Sequence, residues 1–250
     1  MPLDGAITNK SGDKSMFTRR FFCGCLAGLG ALAAAPAMAQ TAAECATVTR
    51  DRQQRMKPDE VLSLLRAGNE RLLTGKTFNC DRIAQVKSTA QGQAPIAAIL
   101  GCIDSRVVPE IIFDQDIGDI FCARVAGNFA NVDNLGSLEF ATKAAGAHAI
   151  VVLGHNHCGA IKAAVDKVKA GNMTAMLKNF EPAMKAAGKV SGPYNSKNDE
   201  LVQKVAEANV RLQVQNLPKR SKIIKDLVAA GEVKIAGAMH DVTTGKVTWL

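Results

Sequence analysis

Aromatic residues are scarce in this chain of 250 residues: they make up 4% of it, with one Trp and one Tyr. The hydrophobic core must therefore consist mainly of Ala, Val, Ile and Leu. The chain has no glycine period and no long heptad repeat, which excludes collagen-like and coiled-coil classes. Hydrophobic residues reach 47%, so disorder is excluded as a description of the whole chain. The length predicts one domain, or at most two.

The net charge is +8, but no set of aromatic residues that could form a stacking surface for nucleic-acid bases lies among the lysines. Lysines are scattered through the C-terminal half at helical spacings, a pattern typical of a solvated helix face. A nucleic-acid interface would be expected to show a clustered basic surface instead. We therefore expect no nucleic-acid partner.

Residues 1–39 are predicted to be a cleaved export signal. Arg19 and Arg20 precede an uncharged stretch rich in Gly, Ala and Leu, and Ala37-Met38-Ala39 offers a small-x-small cleavage site. The arginine pair, followed by Phe21-Phe22, resembles a twin-arginine signal. The stretch is weakly hydrophobic and no longer than a minimal span, and its cysteines do not follow a lipobox, so no stable membrane anchor is expected. A periplasmic or secreted location follows from this interpretation.

Residues 40–94 are predicted to form an N-terminal arm and helices. Residues 40–57 are polar and typical of an extended arm, whereas Pro58 opens a helix with acidic residues in its first turn. Residues 95–250 are predicted to be the main part of the fold, and together with the arm they form a single domain. Within it, residues 171–198 hold several Gly residues and are expected to be an insertion or a lid.

Three short apolar runs predict strands that are buried on both faces: Ile96–Leu100, Ile120–Ala123 and Ala149–Leu153. Helical patterns lie between them, and strands that alternate with helices form parallel sheets through right-handed crossovers. Helices are predicted at Leu135–Ala145, Gly159–Ala170, Met173–Ala187, Asp199–Gln213 and Pro218–Ala230. Val233–Met239 and Lys246–Leu250 predict a closing hairpin. The fold class is α/β, with a mostly parallel central sheet flanked by helices, a C-terminal antiparallel hairpin and an N-terminal helical arm.

Side chains that can bind a metal, or assist one, follow two of the predicted strands. Cys102, Asp104 and the basic Arg106 come after the first strand, and His155 and Cys158 follow the third. Ligands of parallel sheets bind beyond the carboxyl ends of the strands, so these residues are expected to lie together. Two cysteines and a histidine that leave a fourth position open are typical of a catalytic zinc site. An acid beside such a metal can orient a bound hydroxide, and Arg106 would keep the Asp104 carboxylate ionised.

The motifs C-x-D-S-R and G-H-x-x-C-G together resemble the β-class carbonic anhydrases, and the resemblance covers roughly residues 55–250. Arg124–Asn128 and Ser137–Ala141 also fit this family. The resemblance implies that residues 95–250 are a zinc catalytic domain with one Zn²⁺ per chain. It implies reversible hydration of carbon dioxide to bicarbonate and a proton, by a zinc-bound hydroxide that an Asp–Arg dyad orients. The implied zinc ligands are Cys102, His155 and Cys158, and the implied dyad is Asp104 with Arg106.

The same resemblance assigns a substrate pocket. Gln93 would contact the substrate, and the backbone N–H of Gly159 would help to position it. Three apolar residues would form the pocket wall: Phe121, Ala126 and Phe140. The family assembles as dimers or multiples of dimers with the active site at the subunit interface, so a homodimer or tetramer is expected. Gln93, Phe121 and Phe140 would then serve the zinc of the neighbouring subunit.

Some positions depart from the family pattern. Phe140 stands where many members carry Tyr, which removes a hydroxyl from the pocket. Ile99 and His240 stand where a subclass with a closing bicarbonate site carries Trp and Tyr, which argues against closure through that site. His157, two positions from His155, is expected to point away from the metal; His157 and His240 are candidates for a proton relay. Asp104 could occupy the metal's open position in a closed state.

Three further cysteines follow the predicted signal. Cys122 lies in mid-strand and is interpreted as a small hydrophobic residue. Cys45 and Cys80 can pair in an oxidising compartment. The sequence does not decide whether they do, so both the disulfide and the free thiols stay open here.

Other functions remain as alternatives. A hydrolase of carbon disulfide or carbonyl sulfide could use the same scaffold with a different tunnel. A non-catalytic periplasmic zinc-binding protein would not need the Asp104–Arg106 pair. A thiol redox protein is disfavoured because no C-x-x-C lies near a strand end.

Overall fold

The sheet is the centre of the structure, a computed structural model that describes residues 45–250. Its strands are β1 (Ala97–Cys102), β2 (Ile120–Val125), β3 (Ala149–His155), β4 (Lys234–His240) and β5 (Val247–Trp249). Their order is β2-β1-β3-β4-β5; the first four are parallel, and β5 runs antiparallel to β4. The predicted fold class, with its closing hairpin, is confirmed. The predicted export signal lies outside the described residues.

Helices cover both faces of the sheet. They are α1 (Arg50–Arg55), α2 (Pro58–Leu73), α3 (Arg82–Thr89), α4 (Pro109–Ile112), α5 (Val132–Glu139), α6 (Gly159–Val165), α7 (Met173–Leu177), α8 (Glu181–Ala186), α9 (Asp199–Arg220) and α10 (Lys222–Ala229). A π turn (Phe140–Ala144) continues α5, and a 3₁₀ turn (Lys178–Phe180) joins α7 to α8. Within residues 45–250, none of these helices has the length and hydrophobicity that a membrane span requires.

Two apolar layers enclose the sheet. On one side, Leu100 and Val152 pack against α9 residues such as Val210. On the other side, Ile99 and Val151 pack with Leu65 of α2. Every residue of β1 and β3 is buried, as the sequence predicts for central strands. This buried pair of strands carries Cys102 and His155 at its carboxyl ends.

Strand β2 is not buried on both faces, which corrects the sequence prediction. Only Ile120 is fully buried, and the following five residues are half-buried. The reason is position, because β2 is one of the two edge strands of the described sheet and has a neighbour on one side only. An apolar edge strand of this kind leaves room for a partner.

Two further predictions of secondary structure are wrong, one in the N-terminal arm and one at Pro218. Residues 50–55 of the expected extended arm are helical, capped by Thr49, whose side chain accepts a hydrogen bond from the Arg52 amide. Pro218 does not open a helix but lies inside α9, near its end, where a missing amide removes a single hydrogen bond. Ser221 starts α10 instead, because its hydroxyl accepts from the Ile224 amide.

The segment 171–198 is partly built into the core, although the sequence predicts an insertion or lid. Leu177, Phe180 and Ala183 are all buried. Phe180 meets Phe129 edge-on, with ring centroids 5.6 Å apart. Helices α7 and α8 therefore form a packed wall of the domain, and the residues around Tyr194 form its exposed part.

The disulfide that the sequence left open is present. Cys45 and Cys80 are bonded, with their Cα atoms 5.4 Å apart. The bond ties the start of the described chain to the segment between α2 and α3. Cys102, Cys122 and Cys158 are the free cysteines within residues 45–250.

Candidate metal centre

Three metal-binding side chains converge where two adjacent strands end. Cys102 is the last residue of β1, His155 is the last residue of β3, and Cys158 caps the start of α6. One ligand atom from each of the three lies within 4.8 Å of the other two, and all three residues are buried. The pairing of β1 with β3 thus brings together the two motifs, as predicted from the parallel sheet.

His155 presents an unpartnered nitrogen to this cluster. Its Nδ1 lies 2.8 Å from the backbone oxygen of Asn156, to which it donates. Its Nε2 is buried and has no hydrogen-bond partner within the described chain. A proton held on Nδ1 leaves the Nε2 lone pair free, which is the arrangement found in metal-binding histidines.

Two backbone amides donate hydrogen bonds to the Cys102 sulfur. The Gly127 amide donates to Cys102 Sγ at 3.2 Å, and the Asp104 amide donates to it at 3.4 Å. The hydrogen bond from Cys158 lowers the pKa of Cys102. That hydrogen bond, together with burial, raises the pKa of Cys158. The site is thus built to hold a negative charge on sulfur, and a cation would stabilise the second thiolate.

This donor set fits zinc. Two sulfurs and one imidazole nitrogen are borderline-soft ligands, which suit zinc better than magnesium or calcium. The unpartnered Nε2 supplies the third ligand without breaking any hydrogen bond. A set of three protein ligands leaves a fourth position for a reacting molecule.

Asp104 lies beside the cluster and is held by Arg106. Arg106 Nε donates to Oδ1 at 2.9 Å, and Nη2 donates to Oδ2 at 2.7 Å. The Arg106 amide also donates to Oδ1, at 3.0 Å. The Arg106 guanidinium holds the pKa of the Asp104 carboxyl well below its usual range. Asp104 Oδ2 lies 3.9 Å from His155 Nε2, so an ionised, oriented carboxylate faces the open side of the cluster.

Arg124 holds the loop that carries Asp104, a role that sequence reasoning missed. Its Nε donates to the Cys102 backbone oxygen at 2.7 Å, and Nη2 donates to the Asp104 backbone oxygen at 2.7 Å. The loop after β1 is thereby attached to β2. Only the pairing of the two strands reveals this contact.

Asn209 and Gln213 of α9 form a second support that sequence reasoning missed. Asn209 Nδ2 donates to the Gly127 backbone oxygen at 2.9 Å, and Gln213 Nε2 donates to Asn209 Oδ1 at 3.2 Å. Gly127 has φ +84°, and a Cβ there would come within 2.3 Å of Phe180. The sequence signal was a pair of amides, four positions apart, on the face of α9 that is otherwise apolar.

The predicted apolar wall is only partly brought together. Phe121 on β2 and Phe140 at the start of the π turn meet edge-on, with centroids 6.2 Å apart. Both line a groove of about 570 Å³ along the β2 edge, and Phe140 is 60% exposed. Ala126 is half-buried in the turn after β2. Gly159 begins α6 directly after Cys158, so its N–H lies next to the cluster.

Gln93 does not lie at the metal centre of its own chain. It is exposed and precedes the amino end of β1, whereas Cys102 lies at the carboxyl end of that strand. A role for Gln93 at a zinc site therefore requires the site of a neighbouring subunit, as the sequence analysis expected.

The two other histidines near the cluster differ in exposure. His157 is exposed, has φ +51°, and places Nδ1 3.6 Å from Asp199 Oδ1. His240 is buried on β4 in register with His155, and burial lowers its pKa. Neither belongs to the group of ligand atoms in the described chain. Ile99 is fully buried in β1.

A family model described as carbonic anhydrase matches residues 97–247. The chain is 34% identical over 188 residues to carbonic anhydrase 2 of Mycobacterium tuberculosis, which covers 73% of this chain and 87% of that protein. It is 35% identical over 190 residues to a carbonic anhydrase of Mycolicibacterium smegmatis, covering 73% and 88%. A Coccomyxa β-carbonic anhydrase, solved with acetazolamide, superposes with a TM-score of 0.60 at 29% identity, covering 67% and 77%.

The parallel sheet and the buried cysteine–histidine cluster define an α/β enzyme with a metal-binding centre. The comparisons specify the family within that class. This chain belongs to the β-class carbonic anhydrases, and the resemblance that its sequence motifs indicated is confirmed.

Proposed function

We propose that the chain catalyses the reversible hydration of carbon dioxide to bicarbonate and a proton, with one zinc ion held by Cys102, His155 and Cys158. The observation that carries the proposal is the convergence of two sulfurs and the unpartnered Nε2 of His155 beside an arginine-held carboxylate. Zinc bound there would lower the pKa of a water molecule from about 15.7 toward about 7.

Asp104 and Arg106 orient the reaction. The low pKa of Asp104 keeps its carboxylate ionised and therefore a hydrogen-bond acceptor. With zinc bound, the ionised Asp104 carboxylate would accept a hydrogen bond from the oxygen nucleophile that the zinc supplies, and would orient it toward carbon dioxide. Arg106 fixes the direction of the carboxylate through its two side-chain hydrogen bonds.

The substrate lies against an apolar wall and a backbone donor. Ala126 of the same chain, together with Phe121 and Phe140 of the neighbouring subunit, provides apolar surface for carbon dioxide and keeps water from competing with it. The N–H of Gly159 donates to a substrate oxygen. Carbon dioxide has no charge, so apolar contact and one donor are enough to place it.

The test combines metal analysis with stopped-flow hydration of carbon dioxide. Wild type should carry one zinc per chain, and Cys102→Ala should lose both zinc and activity. Cys122→Ala is the matched control for zinc content, because Cys122 is a free cysteine on the adjacent strand, outside the ligand cluster. Wild-type protein without stoichiometric zinc, or Cys102→Ala with unchanged turnover, would refute the proposal. Turnover of carbonyl sulfide or carbon disulfide in place of carbon dioxide would favour the alternative hydrolase.

We further propose that the protein assembles as a homodimer or tetramer in which the β2 edge meets a second copy. Two observations support this. The edge strand carries a groove of about 570 Å³, and Phe140 and Val132 beside it are 60% and 75% exposed. Apolar side chains this exposed are typical of surfaces that a partner covers. Gln93 would then reach the neighbouring zinc.

Subunit complementation tests this arrangement. Gln93→Ala and Cys102→Ala chains are co-expressed, and their activity is compared with that of each variant alone. If Gln93 serves the partner's zinc, each mixed dimer regains one intact site, and activity recovers to about a quarter of wild type for random pairing. Absence of recovery in mixed dimers, confirmed by mass spectrometry, would show that Gln93 does not act across the interface.

The proposed location is periplasmic or secreted, with export by the twin-arginine route. The Cys45–Cys80 disulfide supports an oxidising compartment. Replacing both Arg19 and Arg20 with Lys should leave the uncleaved precursor in the cytoplasm of a bacterial host. Replacing Lys10 and Lys14 with Gln gives the matched control. Normal export of the double-lysine variant would contradict this route.

A further inference from the structure

A cavity of about 550 Å³ lies at the far end of α6 from the metal centre. It is open to solvent and is bordered by the end of α6, by α7 and α8, and by the loop that carries Tyr194. The metal centre lies at the other end of this helix, so the two sites are separated by about 10 Å along its axis. Cavities of this volume accommodate small organic molecules.

The interior of the cavity is apolar. Ala164 and Leu177 are buried at its base, and Met184 is half-buried in its wall. Val168 and Tyr194 border its opening, and they are 40% and 53% exposed. Transfer of an apolar group into this cavity would remove these surfaces from water.

The rim of the cavity is strongly basic. Lys167, Lys169, Lys178 and Lys185 line it, and Glu181 is the one acidic residue among the lining residues. Within residues 45–250, none of these four ammonium groups has an ion-pair partner. Four unpaired cations at the edge of one apolar cavity repel each other and attract an anion.

Lys167 occupies an unusual position at this rim. It follows the end of α6 with φ +53°, and its amide donates to the Ala164 backbone oxygen. Glycine is the usual residue at such a helix end because a side chain disfavours positive φ. Lys167→Gly would therefore remove one cation from the rim while relieving the backbone.

We propose that this cavity binds an amphipathic organic anion, a molecule with one carboxylate group on an unbranched apolar body. The carboxylate pairs with the rim lysines, and the apolar body lies against Ala164, Leu177 and Met184. Such a ligand matches both the unpaired positive charge and the apolar interior. This site is separate from the carbon dioxide site and does not depend on it.

Calorimetric titration of the zinc-loaded protein with decanoate, below its micelle concentration, tests the proposal. We expect one saturable site per chain, and a loss of affinity of about tenfold in the double variant Lys178→Gln/Lys185→Gln. Lys167→Gly should weaken binding without lowering the thermal midpoint. Lys225→Gln is the matched control, because Lys225 is an exposed lysine on α10 that does not line the cavity. Decanol should bind more weakly than decanoate.

Methyl NMR of labelled methionines locates the bound anion. The Met184 methyl resonance, assigned with Met184→Leu, should shift on addition of decanoate. A shift confined to Met239, next to His240 on β4, would place the anion near the metal centre and overturn the proposal. Equal affinity for decanol, or unchanged affinity in the double lysine variant, would equally overturn it. Binding to phosphatidylglycerol vesicles without decanoate binding would replace it with a membrane-surface role.

Discussion

At the scale of single residues, Arg106 sets the ionisation and the direction of the Asp104 carboxylate. Its two side-chain hydrogen bonds, of 2.9 and 2.7 Å, keep the carboxylate ionised and directed. In Arg106→Ala, Asp104 would be free to occupy the open position of a zinc ion held by the two cysteines and His155. We expect zinc to be retained and carbon dioxide hydration to fall at least 100-fold, as measured by metal analysis and stopped flow.

Arg106→Lys is a useful comparison, because lysine keeps the charge but cannot form the two parallel hydrogen bonds. Activity between that of wild type and Arg106→Ala is expected. Full activity in Arg106→Ala would show that Asp104 does not depend on its partner.

Asp119 provides a test of pH dependence away from the metal. Burial raises the pKa of this carboxyl, although the Val48 amide donates to it at 3.0 Å. Its folded state therefore binds the proton more tightly than the unfolded state, so its contribution to stability is present below about pH 4 and is lost as pH rises through the folded pKa. Asp119→Asn should raise the thermal midpoint by a few degrees at pH 7.5, and this gain should shrink toward pH 4.

Differential scanning calorimetry at several pH values measures this effect. The exposed Asp51 gives a matched control, and Asp51→Asn should not reproduce the pH dependence. A gain that is the same at every pH would mean that burial of the charged form is not its cause.

At the scale of elements, helix α9 supports the metal centre through Asn209. This side chain bonds to the Gly127 carbonyl, and the Gly127 amide in turn donates to Cys102 Sγ. Asn209→Leu keeps the branched arrangement of four side-chain heavy atoms but leaves the buried carbonyl without that partner. We expect a loss of about 1–3 kcal/mol in the free energy of unfolding, measured by urea denaturation.

A structural role alone would not change the electronic state of the sulfur. In cobalt-substituted protein, the sulfur-to-metal charge-transfer band of Asn209→Leu should shift, because the hydrogen bond to Cys102 is perturbed. Gln215→Leu, on the exposed face of the same helix, should leave the band in place. An unchanged band in Asn209→Leu would restrict Asn209 to packing.

The elements also show where sequence patterns were sufficient. Strands β1 and β3 were predicted because continuous apolar runs are typical of strands with neighbours on both sides. The run in β2 looks the same, yet β2 is an edge strand and is half-buried. A run of residues reports hydrophobicity, whereas the number of neighbouring strands depends on the assembled sheet. Pro218 was misassigned for a similar reason, because core contacts of Leu217 keep the last turn of α9 helical.

At the scale of the whole molecule, the Cys45–Cys80 disulfide restricts the number of conformations of the unfolded chain. It spans 35 positions, and the loop-entropy argument gives about 3–4 kcal/mol of stabilisation. Reduction should lower the thermal midpoint by about 10 °C in calorimetry. The double variant Cys45→Ser/Cys80→Ser should show the same midpoint with and without reductant. No difference between oxidised and reduced wild type would mean that the disulfide does not stabilise the fold.

The sequence by itself determined the fold class and the residue types that meet at the candidate metal centre. Hydrophobic runs specify parallel strands, and C-x-D-S-R with G-H-x-x-C-G places the ligands at strand ends, since both features are local in the chain. Tertiary structure alone decided the supporting contacts of Arg124 and Asn209, the edge position of β2, the disulfide, and the basic cavity beside α6. These depend on which distant segments meet, and one sequence carries no direct signal of that distance. Gln93 illustrates the limit: a motif position can suggest its role, but only the path of β1 shows that its own zinc site lies at the opposite end of the strand.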